Sequence, residues 1–178
     1  MEFNPAAYDR WYDDNRAIFL QEVNIIKEAG IEGRSAEIGA GTGRFSGELK
    51  TELAMDLSRE MIEFAKIRVP SVIVGSACSL PFRDKSLDTL IFAFSMSFIK
   101  CKPQALDEAK RVSKFVIILD FEPDDGYLNN LKIEFKGIEP FNSSQLNLSN
   151  INIEMNRTIK LNFKGQKITL ILIKLKWQ

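Results

Sequence analysis

The sequence predicts an α/β fold, in which a mainly parallel sheet lies between two layers of helices. Five short apolar runs alternate with loop or helical sequence along the chain, at 35–38, 53–55, 72–74, 87–94 and 115–119. Two longer segments, 151–163 and 168–177, flank the turn Lys164-Gly165-Gln166 and predict an antiparallel hairpin. Right-handed crossovers make the first five strands parallel and place helices on both faces of the sheet.

Length and composition limit the function classes. The chain has 178 residues, a length typical of one domain, and we expect a single domain over 1–178. Its 24 basic residues balance its 24 acidic residues, so no net charge recruits nucleic acid or a membrane surface. The chain contains no histidine, the commonest general base and metal ligand, and we predict no metal site.

The N-terminus and the cysteines predict a cytoplasmic protein. The first residues are acidic rather than basic and apolar, so no signal peptide is expected, and no apolar run is long enough for a transmembrane helix. Cys78 and Cys101 stand alone without a C-x-x-C motif, so we expect reduced thiols.

A glycine-rich turn follows the first predicted strand. The stretch Glu37-Ile38-Gly39-Ala40-Gly41-Thr42-Gly43 has a glycine at every second position, and Arg44–Leu49 can open a helix. Such a turn before a helix N-terminus forms a site for a polar ligand, with free backbone N–H groups pointing into it. The dinucleotide fingerprint would need a glycine at Arg44, which disfavours an NAD(P)-dependent oxidoreductase.

An acid follows the second predicted strand. Asp56 ends the run Leu53-Ala54-Met55, and Ser58 is the expected N-cap of the next helix. A carboxylate can accept hydrogen bonds from both vicinal hydroxyls of a ribose, because it has two acceptor oxygens. We favour this function for Asp56 over the alternative, a favourable interaction with the helix dipole.

Two further segments complete a recognisable pattern. Gly75-Ser76-Ala77-Cys78-Ser79-Leu80-Pro81-Phe82 follows the third strand, and Ser86-Leu87-Asp88 opens the fourth. The combination E-x-G-x-G-x-G, an acid after strand two, G-x-A-x-x-L-P-F and S-x-D resembles class I S-adenosylmethionine-dependent methyltransferases of type 11, over about residues 5–125. At Ser76 the family has an acid that takes the adenine amino group, and a serine hydroxyl accepts less strongly.

The resemblance implies a fold and a set of cofactor contacts. The fold is a three-layer Rossmann-like sandwich with a mixed seven-stranded sheet of order 3-2-1-4-5-7-6, in which strand 7 is antiparallel. The implied contacts of S-adenosylmethionine are Tyr8, Tyr12, Glu37, Gly39, Ala40, Gly41, Asp56, Leu57, Met61, Ser76, Ala77, Phe94 and Ser95. Tyr8 and Tyr12 would close over its methionine end, and Leu57 and Met61 would flank its adenine. Plain core packing is the alternative for the tyrosines, Met61 and Phe94.

The implied activity is transfer of a methyl group from S-adenosylmethionine to a small molecule, with release of S-adenosylhomocysteine. An exposed protein or RNA nucleophile is an alternative acceptor, and a catalytically silent cofactor-binding subunit that acts through a partner is an alternative function. A general base is optional, and its candidates are Asp120, Glu122 and Tyr127, near the end of the fifth strand; a solvated turn is the alternative there. The acceptor and the oligomeric state do not follow from the sequence.

The C-terminal third is patterned differently. Residues 126–150 are rich in Asn and Ser, and we expect a lid or an irregular helix near Gln145–Leu148. From Ile151 onward the chain has six basic residues against one acid. Lysines on an edge strand protect it from aggregation, and an RNA-binding surface is the less favoured alternative.

Overall fold

The computed structural model describes residues 4–123, 125–126, 138–142 and 151–177. Within these residues the helices are α1 (Pro5–Asp14), α2 (Arg16–Glu28), α3 (Arg44–Leu49), α4 (Arg59–Ala65) and α5 (Lys102–Val112). The strands are β1 (Ser35–Ile38), β2 (Leu53–Asp56), β3 (Ser71–Val74), β4 (Leu87–Ala93), β5 (Ser113–Phe121), β6 (Ile151–Phe163) and β7 (Gln166–Trp177). A 3-10 turn, Met96–Phe98, follows β4. None of the helices in the described ranges combines the length and apolar composition that a membrane span requires.

The seven strands form one sheet in the order β3-β2-β1-β4-β5-β7-β6. Strands β1 to β5 pair in parallel, and β7 pairs antiparallel with both β5 and β6. This confirms the predicted order and the antiparallel direction of the seventh strand. The carboxyl ends of the parallel strands therefore meet at one edge of the sheet, where α/β proteins of this kind bind ligands.

The central strands are apolar on both faces because helices cover both. Leu90 and Phe92 of β4 pack in a cluster that contains Leu106 and Ala109 of α5. The residue between them, Ile91, points to the opposite cluster, which α2 and α3 complete. An unbroken apolar run is the expected pattern for a strand buried on both sides.

Two segments lie outside the regular alternation of strands and helices. The connection from β3 to β4, residues 75–86, contains no helix, because Pro81 and the turn paired through Ser76 and Ser79 occupy it. The N-terminal segment is a complete helix: Pro5 is its first residue, and Asn4 accepts a hydrogen bond from the Ala7 N–H as N-cap. The helix expected near Gln145–Leu148 lies outside the described residues.

Candidate functional site

The glycine turn, residues 39–43, joins β1 to α3 at the carboxyl edge of the sheet. All three of its glycines have positive φ, between 55° and 76°. A Cβ on Gly39 would lie 2.5 Å from the Cβ of Ser95, and a Cβ on Gly43 would lie 3.0 Å from that of Ala65. These positions therefore need glycine both for the backbone conformation and for close packing against the residues after β4 and in α4.

The N–H groups of this turn already have acceptors within the protein. Gly39 and Ala40 donate to the Met55 carbonyl at 2.8 and 3.0 Å, and Gly43 donates to the Ala40 carbonyl at 2.9 Å. Gly41 donates to Oδ2 of Asp56 at 2.8 Å. The expectation of free N–H groups is therefore wrong at these four positions, because the end of β2 accepts three of these hydrogen bonds and the turn itself accepts the fourth.

Asp56 lies against the glycine turn with acceptor capacity left over. Its Oδ2 accepts from Gly41, and its Oδ1 accepts from the Ser58 N–H at 2.8 Å. Each carboxylate oxygen can accept a second hydrogen bond, so two ligand hydroxyls can still bind. Ser58 caps α4 by accepting from the Met61 N–H at 3.3 Å, which confirms the expected N-cap.

The residues that the resemblance places around an adenine lie on the connections after β2 and β3. Met61 is buried, whereas Leu57 is 74% exposed. Ser76 is half-buried, and its hydroxyl accepts a hydrogen bond from the Cys78 N–H at 3.2 Å. Ala77 packs against the core cluster of α5. An adenine would therefore meet an exposed leucine on one side and a serine with one hydrogen bond already made on the other.

The end of β4 carries a conformation that is unusual for an aromatic residue. Phe94 has a φ of 53°, in the left-handed region that large side chains rarely adopt. Its N–H donates to the Leu119 carbonyl at 2.7 Å, and the next hydroxyl, on Ser95, donates to the Ile38 carbonyl at 2.7 Å. Such conformations are energetically costly and cluster at functional sites.

Tyr8 of α1 covers the glycine turn, and Tyr12 packs beside it. The hydroxyl of Tyr8 donates to that of Tyr12 at 3.4 Å, and the ring centroids are 5.0 Å apart. Atoms of the Tyr8 ring lie 3.6–3.8 Å from the position that a Cβ on Gly41 would occupy. The ring centroids of Tyr12 and Phe45 are 5.8 Å apart, and those of Phe45 and Phe94 are also 5.8 Å apart. The structure thus brings the α1 tyrosines, the glycine turn and the end of β4 together.

Glu37, in β1 below the turn, is a buried carboxyl with a hydrogen-bond donor. The hydroxyl of Ser46 in α3 donates to it. Burial raises the pKa of Glu37 to about 8, and the hydrogen bonds from Ser46 oppose the rise. The contact ties the first turn of α3 to β1 and so helps to shape the glycine turn between them.

The candidate bases lie elsewhere. Asp120 is fully buried, and its carboxylate accepts from the Ser97 N–H at 3.0 Å, the Ser97 hydroxyl at 2.7 Å and the Phe121 N–H at 2.8 Å. Burial raises its pKa to about 6, although these hydrogen bonds lower it. Glu122 accepts from the Thr158 hydroxyl at 3.2 Å and so faces β6. Tyr127 lies outside the described residues.

Comparison with known proteins agrees with this geometry. A model of the methyltransferase domain family matches residues 36–115. The uncharacterized protein MJ1123 of Methanocaldococcus jannaschii is 32% identical over 94% of this chain and 82% of its own length. The chain belongs to the class I methyltransferase family. The cofactor of this family is S-adenosylmethionine, and the spare acceptor capacity of Asp56 beside the glycine turn fits its ribose.

Two further comparisons concern one relative by sequence and one solved structure. A malonyl-[acyl-carrier protein] O-methyltransferase of Methylococcus capsulatus is 35% identical over 56% of this chain, and the match covers only 42% of that protein. A solved S-adenosylmethionine-dependent methyltransferase from Thermotoga maritima superposes with a TM-score of 0.82 at 24% identity, over 97% of this chain and 96% of the other. The second comparison shows the shared fold.

Sequence reasoning missed a clamp that fastens α1 to the glycine turn of this methyltransferase. Asp9 accepts hydrogen bonds from Thr42 Oγ1 at 2.6 Å, Arg44 Nε at 2.9 Å and Arg68 Nη2 at 2.6 Å. Burial alone would raise the pKa of Asp9, but these three hydrogen bonds outweigh it and lower the pKa. The partners lie 33 to 59 residues away in the chain, so no local pattern could have revealed them.

Sequence reasoning also missed Glu22, although a signal was present. Glu22 lies on the buried face of α2, one turn from both Phe19 and Ile26, and is only 5% exposed. Its Oε2 has no hydrogen-bond partner. Burial raises its pKa to about 8. An acid in the middle of an apolar helical stripe is visible in the sequence and marks a side chain whose burial needs an explanation.

The two cysteines form a disulfide, with their Cα atoms 6.0 Å apart. The expectation of two reduced thiols is therefore wrong for this structure. The bond joins the β3–β4 connection, through Cys78, to Cys101, the residue before α5. Their separation of 23 positions in the chain matches no short cysteine motif, so only the tertiary structure brings the two sulfurs together.

Proposed function

We propose that this chain transfers the methyl group of S-adenosylmethionine to a small-molecule nucleophile. The observation that carries the proposal is the carboxylate of Asp56, held 2.8 Å from the Gly41 N–H with room to accept two more hydrogen bonds. When bound, S-adenosylmethionine supplies an electrophilic methyl carbon and leaves as S-adenosylhomocysteine, which keeps the electron pair of the broken carbon–sulfur bond.

We assign the cofactor contacts by the position of each element around the glycine turn. Asp56 would bind the ribose hydroxyls, and Gly39, Ala40 and Gly41, shaped by Glu37, would lie beneath the cofactor. Leu57, Met61, Ser76 and Ala77 would surround the adenine. Tyr8, Tyr12, Phe94 and Ser95 would enclose the methionine end, because α1 and the end of β4 meet over the turn.

The chain's own contribution to such a reaction is mainly positioning. Holding a nucleophile in line with an electrophilic carbon can lower the activation barrier by roughly 7–11 kcal/mol. Such positioning needs no general base, so a chain without histidine can provide it. Asp120 would act as a positioning residue, since its carboxylate fixes Ser97 in the 3-10 turn that follows Phe94. Tyr8 and Tyr12 would exclude water from the reacting end.

A cytoplasmic location remains a prediction. It rested partly on two reduced thiols, whereas Cys78 and Cys101 are bonded to each other in the structure. Disulfides are rare in cytosolic proteins of mesophiles but occur in those of hyperthermophiles, so a cytoplasmic location is compatible with the bond.

Calorimetric titration of S-adenosylhomocysteine tests the proposed function. Asp56→Ala removes two charge-assisted hydrogen bonds to the ribose and should weaken binding about 100-fold. Glu60→Ala, an exposed acid in the first turn of α4, is the matched control and should leave binding unchanged. A wild-type chain that does not bind the nucleoside, or that binds NADH instead, would contradict the proposal.

A further inference from the structure

The connection from β3 to β4, residues 75–86, is bonded to its neighbours at both ends. At its start, the Gly75 N–H donates to the Asp56 carbonyl at 2.9 Å. At its end, the Lys85 N–H donates to the Arg111 carbonyl of α5, also at 2.9 Å. The connection therefore runs from the residue that we assign to the ribose to the last turn of α5.

The part of this connection from Leu80 onward is bonded directly to α5. The Leu80 N–H donates to Oε2 of Glu108 at 2.6 Å. The guanidinium of Arg111 donates to the carbonyls of Leu80 at 3.0 Å and Phe82 at 2.8 Å. Glu108 and Arg111 also pair with each other at 2.7 Å, so the side chains that hold this part are themselves fixed.

The preceding part, residues 76–79, is held in another way. Among the described residues, its hydrogen bonds stay inside the turn: the Cys78 N–H donates to Oγ of Ser76 at 3.2 Å, and the Ser79 N–H donates to the Ser76 carbonyl at 3.1 Å. Ala77 adds an apolar contact with the core cluster. The covalent anchor of this turn to α5 is the disulfide from Cys78 to the residue before that helix.

The disulfide is open to reagents in solution on one side. Cys78 is exposed, whereas Cys101 is half-buried. Thiol–disulfide exchange begins when a thiolate attacks one sulfur of the bond, so its rate depends on access to a sulfur. We therefore expect attack at Cys78, with Cys101 as the leaving thiolate. Such an attack does not require the protein to unfold.

We propose that the Cys78–Cys101 disulfide is a redox switch of cofactor affinity, which a dithiol turns down by releasing residues 76–79. The first sulfur of the dithiol forms a mixed disulfide with Cys78, while Cys101 leaves as a thiolate and takes up a proton. The second sulfur then displaces Cys78. The dithiol loses two electrons and two protons and becomes a disulfide, and the protein gains two thiols. The inference rests on the proposed function, because it concerns regulation of the same site.

Reduction should weaken the adenine contacts and leave the ribose contact in place. Without the disulfide, residues 76–79 can adopt other conformations, and a ligand that needs Ser76 and Ala77 in one arrangement must restore their order. Asp56 is held by the Gly41 N–H at 2.8 Å and does not depend on the disulfide. The expected loss is therefore partial, about tenfold in affinity.

Calorimetric titration of S-adenosylhomocysteine into oxidised and reduced protein tests the inference. The reduced sample is kept in dithiothreitol, and alkylation followed by mass spectrometry verifies that both cysteines are free thiols. The oxidised chain should bind about tenfold more tightly than the reduced chain. The reduced wild type makes this comparison without any substitution.

Variants show whether the effect of the dithiol passes through the disulfide. The double variant Cys78→Ser, Cys101→Ser should bind as weakly as the reduced wild type and should not respond to dithiothreitol. Glu108→Gln is the matched control, because it weakens the bond to the Leu80 N–H in the other part of the connection. This control should keep the tenfold response to the dithiol.

Hydrogen exchange provides a readout that needs no ligand. Reduction should speed exchange at the N–H groups of Cys78 and Ser79, whose hydrogen bonds lie inside the released turn. The Leu80 N–H, which Glu108 holds, and the paired N–H groups of β4 and β5 should exchange at the same rate in both forms. This pattern would distinguish local release from loss of the fold.

The outcomes separate this inference from the proposed function. Equal affinity of the oxidised and reduced chains contradicts the inference alone, because the disulfide is then only a structural link. A dithiol effect that persists in the double variant, or faster exchange throughout β4 and β5, also contradicts it. If neither form binds S-adenosylhomocysteine, the proposed function fails, and unchanged exchange at Cys78 and Ser79 would then contradict the inference separately.

Discussion

Glu37 and Glu22 are two buried carboxyls with the same raised pKa but different surroundings. Each pKa is raised to about 8, with burial as the main cause. Glu37 lies under the glycine turn, where Ser46 donates to it from the adjoining helix. Glu22 lies on the buried face of α2, one turn from Phe19, with one oxygen unpartnered. One region is complete within the protein, and the other lacks a donor.

The two carboxyls differ in how completely the protein satisfies their hydrogen-bonding capacity. Around the glycine turn, the N–H groups of four residues already have acceptors within the protein, so the protein itself holds the shape of the turn. At Glu22, one carboxyl oxygen is buried without a donor, so no hydrogen bond offsets the cost of removing it from water.

The largest expected effect is on the free energy of unfolding, when either buried carboxyl is replaced by an amide. For a carboxyl whose folded pKa is raised, stability is fully present below the unfolded pKa, near 4.5, and is lost as pH rises through about 8. The free energy of unfolding of Glu22→Gln should therefore be about 2–3 kcal/mol higher than that of the wild type at pH 7.5, with little difference at pH 4.5. Urea denaturation across this range measures the effect.

The matched variant Glu37→Gln should gain less stability at pH 7.5 than Glu22→Gln. Glu37 accepts from both the hydroxyl and the N–H of Ser46, and an amide has only one acceptor oxygen for the two donors, which offsets the benefit of removing the ionisable group by about 1–2 kcal/mol. An equal gain in both variants would show that the hydrogen bond from Ser46 makes no difference, and the distinction between the two regions would fail.

Asp9 links the two regions, and its removal should have an intermediate effect. Asp9→Asn weakens the hydrogen bonds to Thr42, Arg44 and Arg68 and should cost about 2 kcal/mol of stability, while S-adenosylhomocysteine binds more weakly because α1 no longer holds Tyr8 over the turn. Thermal unfolding and calorimetry measure the two effects.

The pH dependence of this variant has the opposite sign. Because the folded pKa of Asp9 is lowered, its contribution is present above the unfolded pKa, near 3.8, and is lost as pH falls through the folded pKa. Asp13→Asn is the control, since Asp13 binds Arg44 at 2.7 Å but is 64% exposed, and it should cost less than about 0.5 kcal/mol. Equal losses in both variants would argue against a clamp centred on Asp9.

The smallest expected effect concerns the proposed adenine contact at Ser76. Ser76→Asp introduces a carboxylate where the family has an acid, and a charge-assisted bond to an adenine amino group should tighten S-adenosylhomocysteine binding by about 1 kcal/mol, or roughly fivefold. Ser79→Asp, exposed in the same turn, is the control and should change affinity little. Weaker binding in Ser76→Asp would place the adenine away from this position.

Local patterns predicted the scaffold well where the physical cause was local. The antiparallel pairing of β6 with β7 and the N-cap at Ser58 are confirmed, as is the strand order that the family resemblance implied. The proximity of Asp56 to the glycine turn also follows from a local rule, because both end adjacent parallel strands and such ends meet at one edge. The connection between β3 and β4 contains no helix, because Pro81 and a cluster of turn-forming residues occupy it.

Contacts between distant segments could not be predicted in the same way. The N–H groups of the glycine turn were expected to be free, but Met55 and Asp56 at the end of β2 accept three of them. The three partners of Asp9 and the bond between Cys78 and Cys101 involve segments at least 23 residues apart. Short-range spacing contains no information about such pairs, because packing of the helices on the sheet decides which side chains meet.

The order of residues alone was sufficient for the architecture and the family, because hydrophobic periodicity marks the strands and helices locally and the motifs that carry the family resemblance are short stretches of sequence. The state of each buried acid was decided only after folding. Glu37 and Glu22 are the same amino acid, and both are removed from water, yet only the packed structure provides Ser46 to one and leaves an oxygen of the other without a donor. That difference depends on a few ångströms of side-chain placement, which the linear chain does not encode locally.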